Sequence, residues 1–312
     1  MPLTSSDVPE LLLPGLKTEF EVAYRSQVDS NLAQRIATVI NTTLPAQRYA
    51  WLGAVPGMRE FVDERRPSGL ASHAVTIEDR VFESSLAVDR RAMEDDQLDL
   101  IRLRIRELAD RVGHHRQQIV VEALTGGDAG AGFDGEPLFS LSHPTVPGST
   151  ATNVTTDALS ADALRNAISD MMQVPDDAGV PLGIVPDTLL VGPNQMWAAI
   201  ELVESPVVVA QATTATGTPP TDYLNAFQGR LKVEVSPFIS GTDEDKWFLL
   251  DTKRPIKGVI LQQRSDVPTE FTALDHAGSS ESAWMRDRYH YGVRARYNVG
   301  YGLWQTVYGG GF

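Results

Sequence analysis

The sequence predicts an α+β fold with an elongated shape. Three observations carry this. One apolar stripe at helical spacing runs through residues 94–125. Strict period-two alternation runs from Tyr289 to Leu303. Between them, over 156–264, short strands are mixed with helices, as in a compact α+β unit.

Residues 1–48 read as an N-terminal arm. From Leu16 to Val39 helices are predicted. Phe20, Ala23, Tyr24 and Val28, then Leu32, Ile36 and Ile40, recur at helical spacing. The burst Leu11-Leu12-Leu13 is bounded by Pro9 and Pro14 and lacks the basic start and long apolar run of a signal peptide.

Residues 49–93 read as a projection. YAWLGAVPGMREF holds Gly53, Pro56 and Gly57, so it is not one helix. ERRPSGL, from Glu64 to Leu70, is a polar turn. Partial alternation through Val75, Ile77 and Val81, then Leu86 and Val88, predicts two strands or extended arms with a polar tip. The segment has too few apolar residues for a core of its own, so it packs on something else.

The helix predicted over 94–125 opens on Glu94, Asp95, Asp96 and Asp99, with Arg102, Arg104, Arg106, Arg111 and Arg116 later, an order that complements the helix dipole. Leu98, Ile101, Ile105, Leu108 and Val112 form one stripe, and Gly126-Gly127 ends it. The adjacent His114 and His115 are placed on its wet side. At the α-helical rise, about 30 residues span roughly 45 Å. Residues 128–158 are rich in Gly, Pro, Ser and Thr and read as loop. Helices are predicted at 160–174, with Ser160 as N-cap, and at 194–204; strands at 188–191, 231–235, 246–251 and 256–262. Residues 211–221 read as a Thr/Pro/Gly loop. In the final strand Tyr289, Tyr291, Val293, Ala295, Tyr297, Val299, Tyr301 and Leu303 share one face.

Composition narrows function. The chain has 312 residues and a net charge of −14, with no cysteine. Disulfides, Cys-zinc sites and thiol catalysis are excluded. An acidic surface repels phosphate, which argues against sequence-specific nucleic-acid readout. The arginines beside the C-terminal tyrosines do not change this, because they lie on the opposite face of the strand. No run is long and apolar enough to span a membrane, and a cytoplasmic site of synthesis is expected. Neither H-E-x-x-H, nor a phosphate-binding glycine loop, nor a full calcium loop occurs, and no cofactor is expected.

The stretch FDGEPLFSLSHP, Phe133 to Pro144, holds the residue types of a hydrolase triad. Yet Ser142 and His143 are neighbours, whose side chains point apart in extended chain, and no G-x-S-x-G elbow is present. The simpler reading is structural. Asp134 and Gly135 make a turn, Phe139 and Leu141 anchor in a core, and His143-Pro144 leads out. On this reading Phe139 is buried, and Asp134, Ser142 and His143 do not converge.

Four stretches, in order, resemble one family, the Mu-like phage major head protein. They are LGAVPGMREF with the following E-R-R (52–66), FESSLAVDRRAMEDDQLDL (82–100), FDGEPLFSLSHP itself, and YGVRARYNVGYGLWQTVYGG (291–310). Residues 1–48 and 211–221 show no matching motif. The resemblance implies an HK97-type capsid fold. Residues 1–48 would be the N-arm, 49–93 the E-loop, and 94–155 a P-domain with its spine helix at 94–125. Residues 156–264 would be the A-domain and 265–312 the return to the P-domain with a long strand. It implies a non-enzymatic subunit that assembles with itself into hexamers and pentamers of an icosahedral head around double-stranded DNA. The protein would be built in the host cytoplasm and reside in the virion. Implied partners are a portal, a separate scaffold and a cement or decoration protein, with packaged DNA touched non-specifically. Arg59, Glu60, Glu64, Arg65 and Arg66 of the E-loop would pair across subunits. The alternatives are an encapsulin-like nanocompartment shell of the same fold and a hydrolase using Ser142 and His143.

Overall fold

The computed structural model describes residues 8–29, 31–52, 72–89, 91, 98–145, 148–175, 179–209, 222–266, 269–274 and 285–312. Among these, the long strand Arg288–Tyr301 and the long helix Leu98–Thr125 organise the molecule. At standard rises they span about 46 Å and about 42 Å.

The strand is long because it serves three partners. Along one edge, Arg80–Asp89 pairs antiparallel with it, from Arg288↔Asp89 to Tyr297↔Arg80. Two strands share the other edge end to end. Glu270–Leu274 pairs with residues 290–294 and Val259–Arg264 with residues 297–301. Ala37–Thr42 then adds parallel to Val259–Arg264. The alternation has a clear cause: Tyr289, Tyr291, Val293, Ala295 and Tyr297 are buried, while the intervening residues are wetter.

The helix lays its stripe on this sheet. Ile101, Ile105, Leu108 and Val112 are buried with Tyr289, Tyr291, Val293 and Phe271. The helix Val8–Asp29 covers the same cluster with Leu16 and Phe20, and Arg106 pairs with Glu19 at 2.8 Å. Pro14 lies inside that first helix rather than bounding an apolar burst. The helical spacing read through Ile40 stops at Ile36. Ala37–Thr42 is a strand, because its edge-to-edge pairing with Val259–Arg264 outweighs a spacing that fits either state.

A second sheet has the order Lys232–Val235, Thr188–Val191, Trp247–Leu250, Val307–Gly310, Val154–Thr155. Its three interior strands are wholly buried. The helix Ala161–Gln173, capped by Ser160 Oγ accepting from the Ala163 N–H, buries Leu164, Ala167 and Met171 in the same core. The helix Met196–Glu204 follows a single turn of tighter helix at Pro193–Gln195.

The two sheets interlock. Val259–Arg264, in the stretch 156–264 of the sequence reading, belongs to the sheet of the long strand. Val307–Gly310, in the stretch 265–312, belongs to the second sheet. Arg80–Asp89 does not project but forms an edge of the first sheet; Ala46–Leu52 and Ser72–Glu78 form a separate two-stranded ribbon.

Candidate functional site

FDGEPLFSLSHP leaves the end of the long helix. Gly126 and Gly127 donate back to the carbonyls of Glu122 and Leu124, and Lys246 Nζ donates to the last helical carbonyl, Thr125 O, at 2.7 Å. The turn follows. Asp134 Oδ1 accepts from the Glu136 N–H at 3.2 Å, and Gly135 sits at φ +90°, a conformation that glycine adopts without a Cβ penalty. Phe139 is 3% exposed and lies against Phe248 and Phe312 at ring distances of 5.6 and 4.9 Å.

Leu141 is a correction. Its side chain is 73% exposed. The backbone bends at Leu141, which turns this side chain outward while Phe139 and His143 on either side are buried. The buried partner next to Phe139 is Leu138.

Asp134 and His143 are a second correction, because they do converge. His143 Nδ1 is 2.7 Å from Asp134 Oδ2, with side-chain exposures of 0% and 5%. His143 Nε2 is 3.1 Å from Asn153 Oδ1. The Asn153 amide is oriented from both ends: Oδ1 accepts from the Ser140 N–H at 3.0 Å, and Nδ2 donates to Leu138 O at 2.7 Å and to the carbonyls of Trp304 and Val307. The imidazole therefore faces an acceptor at each nitrogen. Its ring stacks on Trp304 at 4.0 Å with a 4° tilt. This unit joins the turn, the 153 loop and the C-terminal segment.

The dyad is closed to catalysis by this geometry. Nε2, the nitrogen that would accept a nucleophile's proton, is taken by Asn153. Ser142 is exposed while His143 is fully buried, so the neighbours point apart as the sequence requires.

The histidines of the long helix also separate. His114 is exposed. His115 is half-buried, a departure from the wet face expected: its Nδ1 is 2.8 Å from the Tyr297 hydroxyl and its ring lies 4.4 Å from Phe82. Both line a cleft of about 410 Å³ between the long helix and the long strand. Burial lowers the His115 pKa from the ordinary 6.5, opposed by the Glu122 carboxylate.

Arg59, Glu60, Glu64, Arg65 and Arg66 lie outside the described residues. The base of their segment is described. Ala46–Leu52 pairs with Ser72–Glu78 in register from Ala46↔Glu78 to Leu52↔Ser72. Sequence reasoning missed the group at that base, Asp79 between Arg264 and Arg296, because Asp79 and Arg264 are 185 residues apart in the chain.

A family model described as Mu-like prophage major head subunit gpT matches residues 10–158, 150–239 and 220–311. The chain belongs to this family. The chain is 25% identical over 273 residues to the Mu-like prophage FluMu major head subunit of Haemophilus influenzae, covering 88% of this chain and 64% of that protein. Over 113 residues it is 26% identical to the major capsid protein of Escherichia phage Mu, covering 36% of this chain and 37% of that one. It thus spans less than two thirds of the length of either relative. In the procapsid of bacteriophage JBD30 a chain of 24% identity superposes with a TM-score of 0.56, covering 96% of this chain and 74% of that one. The head subunit has the HK97-type capsid fold. Among the described residues no helix is long and apolar enough to cross a membrane, and no group of three or more His, Asp or Glu could hold a metal ion.

Proposed function

We propose that this head subunit assembles with copies of itself into hexamers and pentamers of a closed icosahedral shell that encloses double-stranded DNA. The observation that carries the reading is the family match along almost the whole chain, on a molecule with a capsid fold. Head-to-tail contacts that close into rings build such capsomers. Residues 1–48 serve as the N-arm, 49–93 as the E-loop and 94–155 as the P-domain with its spine helix. Residues 156–264 serve as the A-domain and 265–312 as the return to the P-domain. The interlocked sheets make the last two one mechanical body.

The chain has no cysteine, so no disulfide links the shell, and its strength comes from area repeated over many interfaces. A net charge of −14 per subunit keeps packaged DNA loosely held and free to move. Arg59, Glu60, Glu64, Arg65 and Arg66 pair with a neighbouring copy. A portal, a separate scaffold and a cement protein complete the head, which is assembled in the host cytoplasm.

Nuclease treatment of particles purified from the phage's host tests this reading against the nanocompartment. Protected double-stranded DNA of genome length supports a head; particles holding protein cargo and no DNA overturn it. Reversing charge at Arg65 and Arg66 tests the contact. Unchanged assembly and shell stability would remove those residues from it.

A further inference from the structure

The ribbon formed by Ala46–Leu52 and Ser72–Glu78 leaves the first sheet at Asp79. A two-stranded ribbon has little stability of its own, so its direction is set by its root and by what it rests on. The root is unusually well tied. Asp79 accepts from Arg296 at 2.6 Å and lies 3.5 Å from Arg264, and the Asp79 and Arg264 side chains are only 7% and 8% exposed. Arg264 also pairs with Asp266 at 2.6 Å. The Asp79 N–H donates to Pro45 O at 2.8 Å and closes the ribbon's base.

Both ribbon strands are also tied to the sheet beneath. Asn298 Nδ2 donates to Glu78 O at 2.6 Å, Gln262 Nε2 to Ile77 O at 3.3 Å, and the Tyr49 hydroxyl to Gln262 Oε1 at 2.8 Å. Ile77 is buried directly over Gly300, where a Cβ would stand 2.4 Å from Ile77 Cδ1. Only glycine lets the ribbon lie this close to the long strand. The strands Val259–Arg264 and Arg288–Tyr301 thus hold the ribbon from below, while the ion pairs hold it at the hinge.

The geometry has leverage. Seven residues of strand reach about 23 Å, so a 10° change at the base, unopposed by the ties beneath, would displace the far end by about 4 Å. Four ångströms is more than the tolerance of a packed or hydrogen-bonded contact. We propose that Asp79, held by Arg264 and Arg296, is the positioning residue that fixes the angle of the ribbon and so aligns it with a neighbouring copy. This rests on the shell-forming reading above. Arg264 and Arg296 come from two different strands of the sheet, so the carboxylate is triangulated rather than merely neutralised.

The absence of cysteine makes the test direct. Thr76→Cys on the ribbon and Arg102→Cys on the long helix accept a pair of spin labels, and their distance distribution is measured in the unassembled full chain. A single narrow distribution is expected. Asp79→Asn should widen it about twofold, leave the circular dichroism spectrum folded, and reduce the yield of closed shells about tenfold through lost preorganisation. Asp79→Glu should recover part of both. If Asp79→Asn does not fold, Asn298→Ala, which removes one ribbon tie, should widen the distribution in the same direction. An unchanged width in both variants overturns the proposal. So does a widened distribution with undiminished shell yield. A parent chain that forms no shells instead sinks the shell-forming reading, and the two widths still decide whether Asp79 sets the ribbon.

Discussion

His143 Nδ1 lies 2.7 Å from Asp134 Oδ2, and neither side chain is open to solvent. The pair fixes a glycine turn nine residues upstream against the C-terminal segment, through Asn153 and Trp304. Its removal should therefore be felt well beyond the loop. His143→Ala leaves the buried Asp134 Oδ2 without its hydrogen-bond partner, which typically costs about 1–3 kcal/mol. Leu141→Ser, two residues away on the exposed side, should change stability by no more than about 0.5 kcal/mol. Denaturant unfolding of the two variants checks this, and equal shifts would show that the dyad contributes nothing special.

Phe139→Ala empties a site enclosed by Phe248 and Phe312. A loss of about 3–5 kcal/mol is expected. Calorimetry should show a lower melting temperature. A variant as stable as the parent would place Phe139 outside the core that unites the turn with the second sheet.

Lys257 Nζ reaches the carbonyls of Gln34, Arg35 and Ala37, at the end of the short helix Leu32–Ile36. Burial lowers the lysine pKa, with the Asp187 carboxylate opposing. Lys257→Met keeps the stem but leaves these acceptors short of donors, at a cost of about 1–3 kcal/mol. Hydrogen exchange should rise first over residues 32–42. Exchange that rises elsewhere and not there would contradict this role.

His115 gives a signed pH dependence. Burial holds its folded pKa below the ordinary 6.5, against the pull of Glu122. Tyr297 faces the ring from the long strand, with Arg116 over the tyrosine ring, and Glu83 and Arg111 line the same cleft. As pH falls below 6.5, the unfolded chain takes up the proton before the folded one does. Stability present at neutral pH is therefore lost as pH falls from 6.5 toward the folded value. His115→Gln should flatten the dependence of the urea midpoint on pH between about 7 and 5 relative to the parent. Parallel curves would rule it out.

Much of the scaffold was legible because it rests on periodicity. The stripe through Ile101, Ile105, Leu108 and Val112 is buried, and so is the row from Tyr289 to Tyr297, since each is set by the geometry of one element. Ser160 announced its helix for the same local reason. What was not legible depends on partners far away in the chain. Val39 and Ile40 fit a helix until Leu261 and Gln262 lie beside them. Leu141 looks like an anchor until the bend at Leu141, set by the buried neighbours on either side, turns it outward. Asp79 carries no local signal, and only the fold brings it Arg264 and Arg296.

The central claim is that this chain builds a closed shell. Electron microscopy of the purified full chain tests it most directly. The expected result is closed particles of uniform diameter with rings of five and six subunits. A population of monomers, open sheets or amorphous aggregate under conditions where the chain is folded would contradict it.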